Sequence, residues 1–110
     1  MNTEENIVLT EAVFYTLLVL HAPLHGYGIM QETKRLTDGR LVLSAGTLYG
    51  AISSLLDKGW IEALPAAEDS RRKEYVITPA GRLVARNELT RLHELVENGD
   101  KIINLSNILQ

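Results

Sequence analysis

A chain of 110 residues has room for one domain and one modest core, and 45% hydrophobic residues predict folding rather than disorder. The absence of cysteine excludes a disulfide framework, a zinc-thiolate site and a catalytic thiol. A net charge of −3 argues against a broad phosphate-binding surface, which would need an excess of Lys and Arg.

Charge distribution softens that last point. Glu4, Glu5 and Glu11 account for the acidic surplus, and from residue 26 onward acids and bases balance, leaving room for a local basic patch. The stretch Met1 to Glu5 is acidic and polar and does not read as a signal peptide. The longest apolar run, near Val13 to Leu20, stops before Pro23 and is too short to span a bilayer. The expectation is a soluble cytoplasmic protein without a membrane partner.

Thr10 is a candidate N-cap for a first helix, with Leu9 placed to staple against Phe14. Val13, Phe14, Leu17, Leu18 and Leu20 cover much of that helix, and Pro23 ends it. Leu24-His25-Gly26 is read as a turn into a second helix, roughly Tyr27 to Thr37, closed by Asp38-Gly39. Arg40 to Leu43 is an extended link.

Ser44 caps a third helix, about Ala45 to Lys58, ended by Gly59. Leu48, Ile52, Leu55 and Leu56 form its expected buried face. The opposite face carries Gly46, Thr47, Gly50, Ser53 and Ser54 and is small, polar and uncharged.

Trp60 to Leu64 and Lys73 to Ile77 read as strands, joined by the turn-forming, charged stretch Pro65 to Arg72. Thr78-Pro79 starts a last helix that runs to Gln110, with Asn98-Gly99 a point where it could kink or break. No internal repeat or low-complexity segment interrupts the chain. Three helices, a β-hairpin and a long helix give a mainly α fold of winged helix-turn-helix type. Residues 1–78 are expected to form the DNA-binding region and 79–110 a C-terminal dimerisation helix, within one domain.

Four blocks carry a resemblance. His25-Gly26-Tyr27-Gly28-Ile29, Ser44 to Tyr49 (SAGTLY), Leu55 to Ile61 (LLDKGWI) and Arg71 to Gly81 (RRKEYVITPAG) stand in the order and spacing of the PadR family. The chain resembles that family over about residues 10 to 85. The resemblance implies a homodimeric transcriptional repressor on DNA, often one released by a small-molecule effector. The C-terminus resembles the compact branch, with one long helix in place of a separate C-terminal domain. Compact members that bind planar drugs between protomers can place a tryptophan in that helix. Here the helix has no Phe, Tyr or Trp, and the only tryptophan is Trp60. An aromatic-sandwich effector site therefore lacks its flat partner.

The third helix is the candidate recognition helix, because its N-terminus offers free N–H groups to phosphate. Ser44, Thr47 and Tyr49 add hydroxyls there, and Gly46, Gly50 and Ser53 allow close approach to the duplex. Direct readout usually employs Arg, Lys, Asn or Gln, none of which stands on this face, so sequence preference should depend on methyl contacts, water and DNA shape. Arg71, Arg72 and Lys73 form the densest cationic run, at the wing. The bland alternative is a charged strand edge that blocks aggregation, with Glu68 and Asp69 beside it. Lys34 and Arg35 on the second helix are further phosphate candidates. Tyr15, Tyr27, Tyr49, Tyr75 and Trp60 are read mainly as core or DNA-facing.

Leu89, Leu92, Leu95, Val96, Ile102, Ile103, Leu105 and Leu109 make an apolar stripe too wide for a lone surface helix, so a second copy is the expected cover. Burying four such side chains is worth roughly 6–12 kcal/mol before association costs.

Enzyme readings find no support. His21 and His25 have Pro23 between them and no nearby carboxylate, so no metal or cofactor is expected. Neither Ser44 nor Ser70 has an arguable base, and Gly26-x-Gly28 lacks the strand that a nucleotide fingerprint needs. The alternative function is a winged helix serving as a protein-interaction module, which the acidic balance and uncharged third helix favour.

Overall fold

The computed structural model describes residues 7–65 and 72–109, with side chains to residue 105. Helix α1 spans Glu11–Val19 and opens where Thr10 Oγ1 accepts the Val13 N–H at 3.2 Å. Strand β1 is Leu24–His25, α2 is Gly26–Leu36 and α3 is Ala45–Asp57. Strands β2, Ile61–Ala63, and β3, Glu74–Ile77, precede α4, Pro79–Leu109. The architecture is a winged helix, mainly α with a small antiparallel sheet.

The sheet has one strand more than the sequence announced. Its order is β1-β3-β2, with Leu24 opposite Tyr75 and His25 opposite Glu74, and on the other side Ile61 opposite Ile77. Leu24-His25, expected as a turn, is thus a strand, and α2 starts one residue early. Two residues are too few to show alternation, so only the tertiary partner reveals the pairing. The core strands are also shorter than expected, although the Leu64 N–H still reaches the Glu74 carbonyl at 2.9 Å. The connection from residue 66 to 71, Arg71 included, lies outside the described residues.

Leu17, Leu20, Ile29, Leu48 and Leu55 are fully buried and tie the three helices to the sheet. Leu56 corrects the expected face of α3, since it is 37% exposed. At about 100° per residue it lies at the edge of the stripe set by Leu48, Ile52 and Leu55. The turn out of α3 depends on Gly59, whose φ of 74° lets the Trp60 N–H reach back to the Leu55 carbonyl at 3.0 Å.

Helix α4 is continuous through Asn98 and Gly99. Its first half packs on α1, burying Gly81, Val84, Ala85 and Glu88. Glu88 ties this junction together: its carboxylate accepts the Leu9 N–H at 3.0 Å and pairs with Arg91 at 2.6 Å. The Arg91 guanidinium holds the Glu88 carboxyl below the ordinary carboxylate range, against the opposing effect of burial. Beyond Leu92 the helix leaves the body of the protein. Among the described residues no helix is long and apolar enough to cross a membrane.

Candidate nucleic-acid interface

Ser44 caps α3, its Oγ accepting the Thr47 N–H at 3.1 Å and donating to Thr47 Oγ1 at 3.0 Å. The two hydroxyls therefore brace each other at the helix start, and Thr47 keeps its own O–H for an outside acceptor. Gly46, Gly50, Ser53 and Ser54 are exposed. A β-carbon on Gly46 or Gly50 would meet nothing within 4 Å, so packing inside the protein does not require glycine at either position.

Tyr49 projects from α3 toward the start of α2. Its ring lies where a β-carbon on Gly26 would come within 3.1 Å of its Cζ, so a bare backbone at Gly26 admits it. Tyr49 is 54% and Tyr27 58% exposed, whereas Tyr75 and Trp60 are buried and Tyr15 half-buried. The tyrosines thus divide between the core and this surface.

These residues border an open cleft of about 430 Å³, lined by His25, Gly26, Tyr27, Tyr49, Arg72, Lys73 and Tyr75. Three of the residues singled out in the sequence, Tyr49, Arg72 and Lys73, meet here although α3 and the wing are far apart in the chain. The β1–β3 pairing is what joins them, because it brings the start of α2 beside the wing strand. His25 and Tyr27 also line the cleft; Tyr27 is among the tyrosines expected as core or DNA-facing, whereas His25 had no expected place there. The His25 Nδ1 accepts the Gly28 N–H at 3.0 Å and so caps α2. Its weak signal in the sequence was a polar residue three positions ahead of Gly28, in a place more often filled by Asn or Ser.

Lys34 and Arg35 do not line the cleft; they stand in the last turn of α2, away from its capped start. Arg35 is engaged by Glu32 at 2.8 Å, which lowers the Glu32 carboxyl and raises the Arg35 guanidinium. The Arg40 guanidinium is likewise paired with Glu11, bridging the link before α3 to the start of α1. Lys58 lies over the Trp60 ring, 5.6 Å from its centroid. Among the described residues no group of His, Cys, Asp or Glu converges as a metal site.

On the outer half of α4, Leu89, Leu95, Val96, Ile102, Ile103 and Leu105 are about half to two-thirds exposed and Leu92 is half-buried. The side chain of Leu109 lies outside the described residues.

Residues 16–87 match the model of the transcriptional regulator PadR-like family, well over half of the chain. The chain belongs to the PadR-like family. Its members are transcriptional regulators, not enzymes. A PadR family transcriptional regulator from Eggerthella lenta superposes with a TM-score of 0.70 at 26% identity, covering 83% of this chain and 80% of its own. Bacillus subtilis PadR, solved in complex with operator DNA, shares the fold with a TM-score of 0.62 at 21% identity, over 70% of this chain and 45% of that one. A Streptomyces fradiae protein of 37.1 kDa from transposon TN4556 is 36% identical over 66 residues. The match covers 60% of this PadR-like chain but only 18% of the length of that protein.

Proposed function

We propose that this PadR-like regulator is a repressor that binds a palindromic operator as a homodimer in the cytoplasm. Helix α3 lies in the major groove, with Ser44, Gly46, Thr47, Tyr49, Gly50 and Ser53 toward the duplex, while Arg71, Arg72 and Lys73 of the wing contact the backbone. Lys34 and Arg35 serve as outer phosphate contacts, Arg35 more weakly because Glu32 holds it. The observation that carries this proposal is the cleft joining exposed Tyr49 of α3 to Arg72 and Lys73. The open space around Gly46 and Gly50 supports it, since it leaves the helix backbone free to meet a groove. The operator complex of the B. subtilis PadR protein, which shares the fold, agrees with it.

Residues 1–78 act as the DNA-binding region and 79–110 as the dimerisation helix. Positions along one side of α4 follow a spacing of three and four: half-buried Leu92 and Gly99 alternate with exposed Leu95 and Ile102. That is the seam of a two-helix coil, with Gly99 permitting close approach. A two-fold dimer matches a palindrome, its recognition helices about one DNA turn apart. A small-molecule effector would act by favouring a dimer geometry with the wrong helix spacing. Affinity for the selected operator that stays constant across a broad panel of compounds removes this effector step.

Selection of bound duplexes from a random pool, followed by binding across salt concentrations, tests the whole. A palindromic consensus and a steep loss of affinity from low to physiological salt are expected. The uncharged face of α3 favours a second reading, a protein-interaction module. Absence of duplex binding at low salt decides for that reading.

A further inference from the structure

We propose that the α4 helices of two copies pack antiparallel, the outer half of each lying in the α1–α4 groove of the other, with Glu97 and Asp100 of one copy against Arg86 and Arg82 of the second. This deepens, and rests on, the homodimer reading above: it gives the pair an orientation and names the groups that choose it. An α-helix turns about 100° per residue, so a step of 18 residues makes about five full turns and a step of 11 about three. Asp100 therefore stands in line with Arg82 along α4, and Glu97 nearly in line with Arg86. One flank of the helix is thus basic at its inner end and acidic at its outer end. All four side chains are exposed, and among the described residues none of them is held in an ion pair. Arg82 and Arg86 also repel each other one turn apart.

The apolar surface beside this flank has a matching receptor. Leu89, Val96 and Ile103 recur every seven residues, between the charged flank and the seam, and are about half to two-thirds exposed. On the inner half, Leu18, His21, Arg82, Ala85, Arg86 and Leu89 line a groove of about 200 Å³ between α1 and α4. Its floor is apolar and its rim cationic, so it fits a helix with an apolar stripe and acids alongside. The outer half of α4 is such a helix: Val96 and Ile103 form the stripe, and Glu94, Glu97 and Asp100 outnumber Lys101.

A two-fold axis near Leu92 and His93 sets Leu89 opposite Val96 of the second copy and fills both grooves at once. Parallel packing would instead lay Arg82 and Arg86 on their own counterparts, and Glu97 and Asp100 on theirs. Exposed ion pairs add little to affinity, but exchanging attraction for repulsion discriminates between two arrangements that bury similar apolar area.

The full chain is tested by sedimentation equilibrium, with melting temperatures as the check on folding. Arg82→Glu with Arg86→Glu, and separately Glu97→Arg with Asp100→Arg, are each expected to weaken the dimer about tenfold or more. Combining all four substitutions restores opposite charges and is expected to return the dimer to within about threefold of the parent. Parallel helices predict no loss in either pair, because like charges already face each other. Cross-linking gives a second readout, and the lack of native cysteine makes introduced thiols unambiguous. Chains carrying Leu89→Cys and chains carrying Val96→Cys, mixed and oxidised, are expected to form a mixed disulfide, while neither links to itself. In the antiparallel pair, like positions lie about 10 Å apart along the axis, too far for a disulfide.

Self-linked dimers of each single variant, or a fourfold charge exchange that stays as weak as either half, overturn the antiparallel arrangement and leave the homodimer intact. A parent chain that sediments as a monomer refutes the homodimer reading itself, and the arrangement with it.

Discussion

Gly81, in the first turn of α4, lies directly beneath the backbone of Trp60, so that a β-carbon on it would overlap the Trp60 carbonyl oxygen and come within 2.8 Å of Ile77 Cγ1. The Trp60 carbonyl is fixed, because it also accepts the Thr78 N–H at 3.0 Å. This contact seats the long helix on the base of the wing. Gly81→Ala should therefore cost about 3 kcal/mol of stability, measured by urea denaturation. Gly26→Ala is the contrast: its obstacle is the far end of the Tyr49 side chain, which can swing away. It should cost less than about 1 kcal/mol while weakening operator binding through the displaced Tyr49.

Thr33 is fully buried on α2, and its hydroxyl has no hydrogen-bond partner among the described residues. An unpaired polar group in the core costs stability that an isosteric methyl does not. Thr33→Val should stabilise the protein by about 1 kcal/mol, a rise in melting temperature of about 4 °C. Calorimetry that shows a fall instead refutes the unpaired state.

Glu88, only 2% exposed, joins Leu9 and Arg91. Its carboxyl titrates below its ordinary value of about 4.5, chiefly because of Arg91. A depressed carboxylate contributes stability that is present above the unfolded value and is lost as pH falls through the folded one. Stability should thus drop below about pH 4.5. Glu88→Gln should flatten that acid limb and lower stability at neutral pH by about 1–3 kcal/mol, since the Arg91 charge and the Leu9 N–H lose their strong acceptor. Equilibrium unfolding at a series of pH values reads both effects.

Leu95 and Ile102 stand 52% and 67% exposed on the seam of α4. A charge there opposes burial against a second copy. Leu95→Asp and Ile102→Asp should each shift the protein to monomer in sedimentation, lower its helical circular dichroism as the outer half of α4 frays, and weaken operator binding. A monomeric parent chain, or variants that sediment as the parent does, counts against the two-fold arrangement.

Much of the fold is written locally. Thr10 and Ser44 announce helix starts because a side-chain oxygen satisfies nearby N–H groups without outside help. Gly59 ends α3 because its left-handed turn disfavours a β-carbon. The burial of Leu48, Ile52 and Leu55 follows from the helical period, and the exposure of Leu56 follows from the narrowness of the real stripe. Asn98-Gly99 reads as a possible break because the cost of a glycine is local, whereas the continuity of α4 is a property of the whole helix.

The candidate site divides differently. Residue type singled out Tyr49, Arg72 and Lys73, but strand pairing alone decided that they share a cleft. Leu24 and His25 carry no alternation that could reveal β1, so the partner strand supplies the information. The capping of α2 by His25 likewise depends on where the Gly28 N–H points. Composition and periodicity determine which face of each helix is apolar and where each helix begins. Which polar groups confront one another is set by contacts between distant segments, because a hydrogen bond reads the direction of its partner and not the distance along the chain.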